Sequence, residues 1–419
     1  MNSAEVVRPV GLSRPLWSTT AVAAVCQLLS VGLLGVFSFF VAPVAAEFGV
    51  GVAVINIGPV FFLLAPALVG PLTGRFADGY SIRSLMLIGV LIGVTALLAL
   101  STAATLAWLA LGFLGFAVGQ CLYGPLILNT LLVKTYQASA ARALGLAAMG
   151  VSVGSVALPY IVAWLMDTRD WRETVTLLAC GVGLILLVTI RVGLPRLPPE
   201  SLRVHVGATN VVADHSFMRR RAFWVIGIAA AVIGNAVVVA VISYGPHFTN
   251  LGFDNRDIAT FIAAAGGAGF LAKVFVAVFV DQLRAHLKLI ALVIIGLLIA
   301  GLLTLMLGQS YRLAICGTAL LGAAGGGFIP FHPYLNSAHF AAEVMGRVNG
   351  AQAPLMLPLG LVGLPLAGFV FDSTGSYQWV FAGCALLAGV AALLVLALPA
   401  AGPGLSETEK YQQAAEETE

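Results

Sequence analysis

Residues 53–103 read AVINIGPVFFLLAPALVGPLTGRFADGYSIRSLMLIGVLIGVTALLALSTA. Two apolar runs, 53–75 and 84–103, flank a short turn, and the three charges of the stretch, Arg75, Asp78 and Arg83, all fall at that turn. A helix rising about 1.5 Å per residue needs about 20 apolar residues to cross the hydrocarbon of a bilayer. Both runs meet that length. Lipid offers the backbone no hydrogen-bond partners, so runs of this kind are helical. The stretch reads as two membrane-spanning helices joined at one face.

The rest of the chain repeats the pattern. Twelve such runs are predicted, at 19–45, 53–75, 84–103, 106–133, 144–166, 173–192, 222–246, 258–280, 286–307, 313–336, 346–371 and 377–399. Across all 419 residues 60% are hydrophobic and 9% charged, with mean hydropathy +1.01. A soluble domain carries about 25% charged residues, so that class is excluded. The net charge is +3 and no basic tract stands out, which removes nucleic acid as a partner. The first run is too long for the roughly 7–15 apolar residues of a secretion signal and reads as a retained span. Cys26, Cys121, Cys180, Cys316 and Cys384 each sit alone in an apolar run, as packing residues, with no metal-ligand spacing. No cofactor or metal is expected, and no nucleophile–base pair or phosphate loop points to an enzyme.

The fold class predicted is therefore an all-α membrane protein with twelve transmembrane helices in two pseudo-symmetric six-helix bundles. The one long polar stretch, Val192 to Arg221, carries Pro195, Pro198, Pro199 and the cluster Arg219, Arg220, Arg221. It divides the chain into an N-terminal segment (1–18), a first bundle (19–192), a linker (193–221), a second bundle (222–399) and a tail (400–419). With both termini in the cytoplasm, 16 basic residues fall inside and 4 outside, leaving Lys273 in the membrane. This implies a multi-pass cell-membrane protein, in the inner membrane of a bacterium, and a monomer in the lipid bilayer.

The halves echo each other. Asp78 and Asp281 stand 203 residues apart after spans two and eight. Arg142 with Gly145 precedes span five, and Arg347 with Gly350 precedes span eleven, 205 residues on; Asp167 and Asp372 close those spans at the same spacing. Repetition of a six-helix unit is the architecture of many secondary transporters.

Gly70-Pro71-Leu72-Thr73-Gly74-Arg75-Phe76-Ala77-Asp78, with Arg83 beyond, resembles the loop signature of the major facilitator superfamily, although Gly79 and Ser81 replace a basic residue and a glycine. Gly35-Val36-Phe37-Ser38-Phe39-Phe40-Val41, continuing to Glu47-Phe48-Gly49, is similar to the first helix of the monocarboxylate porter and oxalate:formate antiporter branch. Gly325-Gly326, Gly346-Arg347-Val348 and Gly350 resemble its tenth and eleventh helices. The resemblance implies alternating access and transport of small organic anions. It also implies an arginine in helix eight, where this chain has Lys273, and an acidic residue one turn earlier, where it has Gly269.

All 18 carboxylates fall in loops, tails or helix ends. Buried acids are the usual proton relays and counter-charges for cations, so export of cationic compounds is disfavoured. Lys273 lies 8 residues from Asp281, about 12 Å below that end of the helix. A fixed positive charge there would bind a substrate anion as a point charge, without the bidentate fork of arginine. The alternative is snorkelling of its stem toward the headgroups.

In span ten, Pro330-Phe331-His332-Pro333-Tyr334 should interrupt the helix and free carbonyls. His332, Asn336 and His339 share a face; His332 and Tyr334 are candidate substrate contacts, and His339 reads as solvated. Span four offers Gln120, Tyr123 and Asn129. Asn235 and Gln352, with Gln27 and Asn56, are weaker candidates that serve equally as interhelical glue. Glycines such as Gly150 and Gly154 permit close helix approach. Arg75, Asp78 and Arg142, and in the second half Asp281, Arg284 and Arg347, are candidate gating latches on the cytoplasmic face, or ordinary surface pairs worth ~0–1 kcal/mol. The leading expectation is proton symport or anion exchange of a monocarboxylate; the alternative is efflux of a neutral or hydrophobic compound, with Lys273 structural.

Overall fold

A computed structural model describes residues 14–136, 140–194, 216–279, 282, 286–340 and 344–398. The expected N-terminal segment, most of the linker and the tail lie outside this set. Among the described residues there is no strand, and twelve helical stretches are long and apolar enough to cross a membrane. In chain order the helices are α1 (Arg14–Gly35), α2 (Ser38–Phe48), α3 (Val52–Ile55), α4 (Ile57–Gly79), α5 (Ile82–Ser101), α6 (Leu106–Tyr123), α7 (Pro125–Tyr136) and α8 (Ala140–Thr168). They continue as α9 (Trp171–Gly193), α10 (Arg221–Asn250), α11 (Asn255–Phe279), α12 (Leu287–Leu307), α13 (Tyr311–Ser337), α14 (Met345–Gln352), α15 (Met356–Thr374) and α16 (Gln378–Leu396).

Helix ends follow local chemistry. Thr105 accepts from the Trp108 amide at the start of α6, and Ser310 from the Leu313 amide at the start of α13. Asp170 and Asp254 accept from the Glu173 and Asp257 amides, each at 2.8 Å, opening α9 and α11. Each satisfies a donor that the first helical turn leaves unmatched.

The spans are less uniform than their hydropathy. The first is not continuous over 19–45: it breaks at Val36-Phe37 into α1 and α2. The fourth breaks at Gly124, whose extended backbone ends α6, and Pro125, whose fixed φ suits it to start α7. Span ten departs from the expected interruption. α13 runs unbroken from Tyr311 to Ser337 with Pro330 and Pro333 inside it. Neighbouring helices brace it: Gly322 and Gly326 bring its backbone against that of α11 at Ala265 and Gly269, closer than any side chain would allow. Such packing holds a proline-bearing helix in register. The break falls instead in span eleven, where a 3-10 turn over Ala353–Leu355, containing Pro354, separates α14 from α15.

Contacts group the chain into two compact units, which are distinct from the six-helix halves of chain order. One comprises Met1–Gly32, Leu68–Gly154 and Val175–His205; the other comprises Leu33–Ala67, Ser155–Thr174 and Val206–Glu419. In the first unit α5 packs along α6, and Gly150 and Gly154 of α8 rest on the backbone of α1 at Ala24 and Leu28, as expected of small residues. In the second, α11 packs along α13, α12 lies against α13 and α16, and α10 against α15 and α16. The core there is aliphatic and aromatic, with Phe248, Phe261, Phe331 and Phe381 fully buried.

Candidate functional site

α11 carries Lys273. At about 100° per residue, Lys273 lies about 20° from Gly266 around the helix and roughly 150° from the strip formed by Leu271, Val274, Phe275 and Val278. That strip is exposed and apolar, as a lipid-facing surface should be. Gly266 faces the other way, where an added Cβ would meet the Ser155 side chain of α8 at 2.8 Å. Gly269 and Ala272 border Gly322, Gly326 and Gly327 of α13. The half-buried Lys273 therefore belongs to the face of α11 that turns toward α8, about 10 Å along the axis from their crossing, and not to the lipid strip.

His332, Asn336 and Gln352 come together. His332 Nε2 lies 3.0 Å from Gln352 Oε1, and its ring stacks on Phe328 at 5.6 Å between centroids. Asn336 donates to Asn349 Oδ1 at 2.8 Å and to Gln352 Oε1 at 2.7 Å. Gln352 in turn donates to the Phe223 carbonyl at 2.9 Å. The network joins the ends of α10, α13 and α14, so Gln352 is here a crosslink of three helices. Tyr334 is half-buried beside it in sequence. His339 is half-buried, where a solvated residue was expected; burial and then the Lys288 charge lower its pKa, and its carbonyl accepts from Arg220.

The remaining polar candidates bond between or within helices. Gln120 donates to the Ser30 carbonyl at 2.6 Å, and Asn129 accepts from Gln27 at 3.4 Å. Asn235 donates to the carbonyls of Ala231 and Met356. Tyr123 is 2% exposed. Of the gating candidates, Arg347 is half-buried on α14. The side chains of Arg75, Asp78, Arg142, Asp281 and Arg284 lie outside the described set.

Sequence reasoning missed a seal at the opposite end of the second unit. Asp372, at the end of α15, accepts from the Val52 and Ala53 amides at 2.8 and 2.9 Å and so caps α3. Gly51 leaves room for that carboxylate. Asp167 of α8 accepts from Asn255 at 2.8 Å, and the Tyr160 hydroxyl lies 3.3 Å from Thr260 Oγ1, tying α8 to α11. Asn56 donates to the Leu364 carbonyl at 3.3 Å, and Gly245 of α10 sits directly on the Ser38 backbone of α2. Three pairs of spans are thus closed together: one with seven, two with eleven and five with eight. The only sequence signal was the repeat spacing of Asp167 and Asp372. Beside the seal, Glu47 bonds to Trp171 and Arg172; Arg172 first and Trp171 second hold its carboxyl below the usual range.

A cavity of about 400 Å³ opens between α10, α15 and α16. Its wall is apolar, with Val232, Val239, Leu366, Trp379 and Leu387 around Asn235.

The sequence profile of the Major Facilitator Superfamily matches residues 23–360. A mouse (Mus musculus) protein named monocarboxylate transporter 11 is 26% identical over 412 residues, covering 92% of this chain and 88% of its own. An MFS-type transporter of Gibberella moniliformis is 23% identical over 348 residues, 79% of each chain. Among solved structures, the nucleoside transporter NupG superposes with a TM-score of 0.75 at 15% identity, over 91% of this chain and 98% of that one. That likeness concerns the fold.

Proposed function

Because the chain belongs to the Major Facilitator Superfamily, we propose that it carries a small organic anion, a monocarboxylate, across a cell membrane by alternating access between two six-helix halves. Both termini lie in the cytoplasm in this reading, and the Asp372 end faces outward. The observation that carries it is the placement of Lys273 on the face of α11 toward α8, away from the lipid strip. The name of the mouse relative supports the same substrate class.

A cationic side chain at that depth gives a carboxylate what water would otherwise supply, and discriminates against neutral analogues that lack the charge. Lysine supplies one compact charge with rotatable donors, which suits a single carboxylate better than a rigidly gripped dicarboxylate. Coupling is by proton symport or by exchange of anions.

Uptake of a labelled short monocarboxylate into proteoliposomes tests this. Other short carboxylates should compete, and the corresponding amides should not. Lys273→Ala should abolish uptake, a loss on the order of 2–5 kcal/mol in the interaction with the anion, while Lys273→Arg should keep part of it. Undiminished uptake by the alanine variant would remove the anion reading.

The apolar cavity beside α16 favours a second reading, export of a hydrophobic compound. Amides and acids would then compete equally, and Lys273 would serve the structure.

A further inference from the structure

His247 lies in the last turn of α10, within Ser243-Tyr244-Gly245-Pro246-His247, and is 5% exposed. Three rings surround its imidazole: Phe248 at 5.0 Å, Phe381 at 5.0 Å and Tyr377 at 6.2 Å, the last two nearly perpendicular to it. Its Nε2 has no hydrogen-bond partner among the described residues. The same holds for Ser38 Oγ, Asn56 Oδ1 and the Tyr377 hydroxyl. Of six such buried side-chain atoms among the described residues, these four gather in one layer; Ser30 and Thr135 account for the other two. Buried polar atoms are nearly always satisfied, so four from separate segments set this layer apart from the rest of the interior.

The layer coincides with the seal. Ser38 is the residue whose backbone Gly245 touches, two positions before His247. Asn56 joins the seal through the Leu364 carbonyl, and its side chain with that of Ser243 neighbours the Tyr377 hydroxyl without meeting bonding geometry. His247 is therefore buried where α2, the end of α3, α10 and the start of α16 come together at this end.

We propose that His247 is a proton-binding site that reads the pH of the compartment at the Asp372 end and couples it to the opening of the seal. Histidine is the one side chain of the layer that ordinarily titrates near neutrality. Burial, followed by the Asp372 charge, pushes the Tyr377 phenol upward, so that group stays neutral there. Tyr244 lies one turn back on α10 and pairs with Phe248. Asp372 on α15 is engaged by the α3 amides, and Glu47 on α2 by Trp171 and Arg172. Toward α11 the layer ends in Phe248, Phe253 and Phe261, which do not titrate. Within the sealed layer, an added proton becomes a buried cation with no acceptor among the described residues in bonding range of Nε2. Separation of α10 from α2 wets the ring and supplies one. The protonated protein thus favours the unsealed state, and the neutral protein the sealed one.

The proposal supplies a proton site to the transport reading, but its test needs no substrate. Spin labels at Ala46→Cys and Arg256→Cys, both exposed at this end, would report the separation of spans one and eight in lipid nanodiscs. Cys180, Cys316 and Cys384 would be replaced by Ser. Between about pH 8 and about pH 5 the ratio of long to short distances should rise by about fivefold or more. His247→Gln and His247→Asn should both keep the alkaline distribution at either pH. A wild type indifferent to pH, closure on acidification, or an undiminished response in a folded variant would overturn the proposal. Should one variant fail to fold, the other and the wild type decide. A pH-driven opening without monocarboxylate uptake would retain the site and remove the anion reading.

Discussion

Asp167 and Asp372, 205 residues apart, perform matching tasks at one end of the second unit. Each ends a span of one half, α8 or α15, and each accepts a hydrogen bond from the opening residues of a span of the other half: Asn255 at the start of α11, and Val52 with Ala53 in α3. The repeat visible in the sequence is thus also a repeat of contacts. The Asp372 member is the stronger, because one carboxylate binds two amides that the start of α3 would leave unmatched.

Asp372→Ala should therefore lower stability by about 0.5–2 kcal/mol, and Asp372→Asn by less, since asparagine also caps. Thermal unfolding of the purified protein measures this. Equal melting of wild type and alanine variant would mean that the cap is not made in the membrane protein.

Gly326 sits against the backbone of Gly269, and Gly322 against Ala265. Gly326→Leu should force α11 and α13 apart at a cost of about 1–3 kcal/mol or more, with loss of monodisperse protein. Gel filtration and unfolding of this variant decide the matter; wild-type behaviour would contradict the close crossing.

Glu47 should lend acid sensitivity to the turn between α8 and α9. Its pKa is depressed in the folded protein, by Arg172 and then Trp171. Its contribution is fully present above the ordinary carboxylate value, about 4.3, and is lost as pH falls through the depressed value. Trp171 fluorescence should change over that acid window in the wild type and stay flat in Glu47→Gln. A change that persists in the variant assigns it elsewhere.

Gln352→Ala should leave the Phe223 carbonyl, His332 and Asn336 short of partners, costing about 1–3 kcal/mol. If His332 moves the coupling proton, His332→Gln should in addition shift the alkaline limb of uptake. An unshifted limb would confine His332 to the crosslink with Gln352.

The twelve spans were legible because lipid imposes one rule on every residue that meets it, and length with hydropathy reports that rule. Interruptions were not, because they depend on neighbours. Pro330 and Pro333 looked like a break, yet α13 stays whole where glycine contacts with α11 hold it. Pro354, in a less braced span, marks the real one. The polar candidates divide the same way. Lys273 was visible as the lone charge of its span, but its direction required Gly266 and Ser155 to be seen in contact. His247 escaped notice because nothing in Gly245-Pro246-His247 announces that Ser38, Asn56 and Tyr377, remote in sequence, surround the same layer.

The ties that close the Asp372 end share one property. A carboxylate meets backbone amides, another meets a carboxamide, and a hydroxyl meets a hydroxyl. Among the described residues, none of these three ties sets opposite full charges against each other. Dissolved ions screen long-range attraction far more than bonds of this reach. Brine and fresh water should therefore leave this door shut to much the same degree.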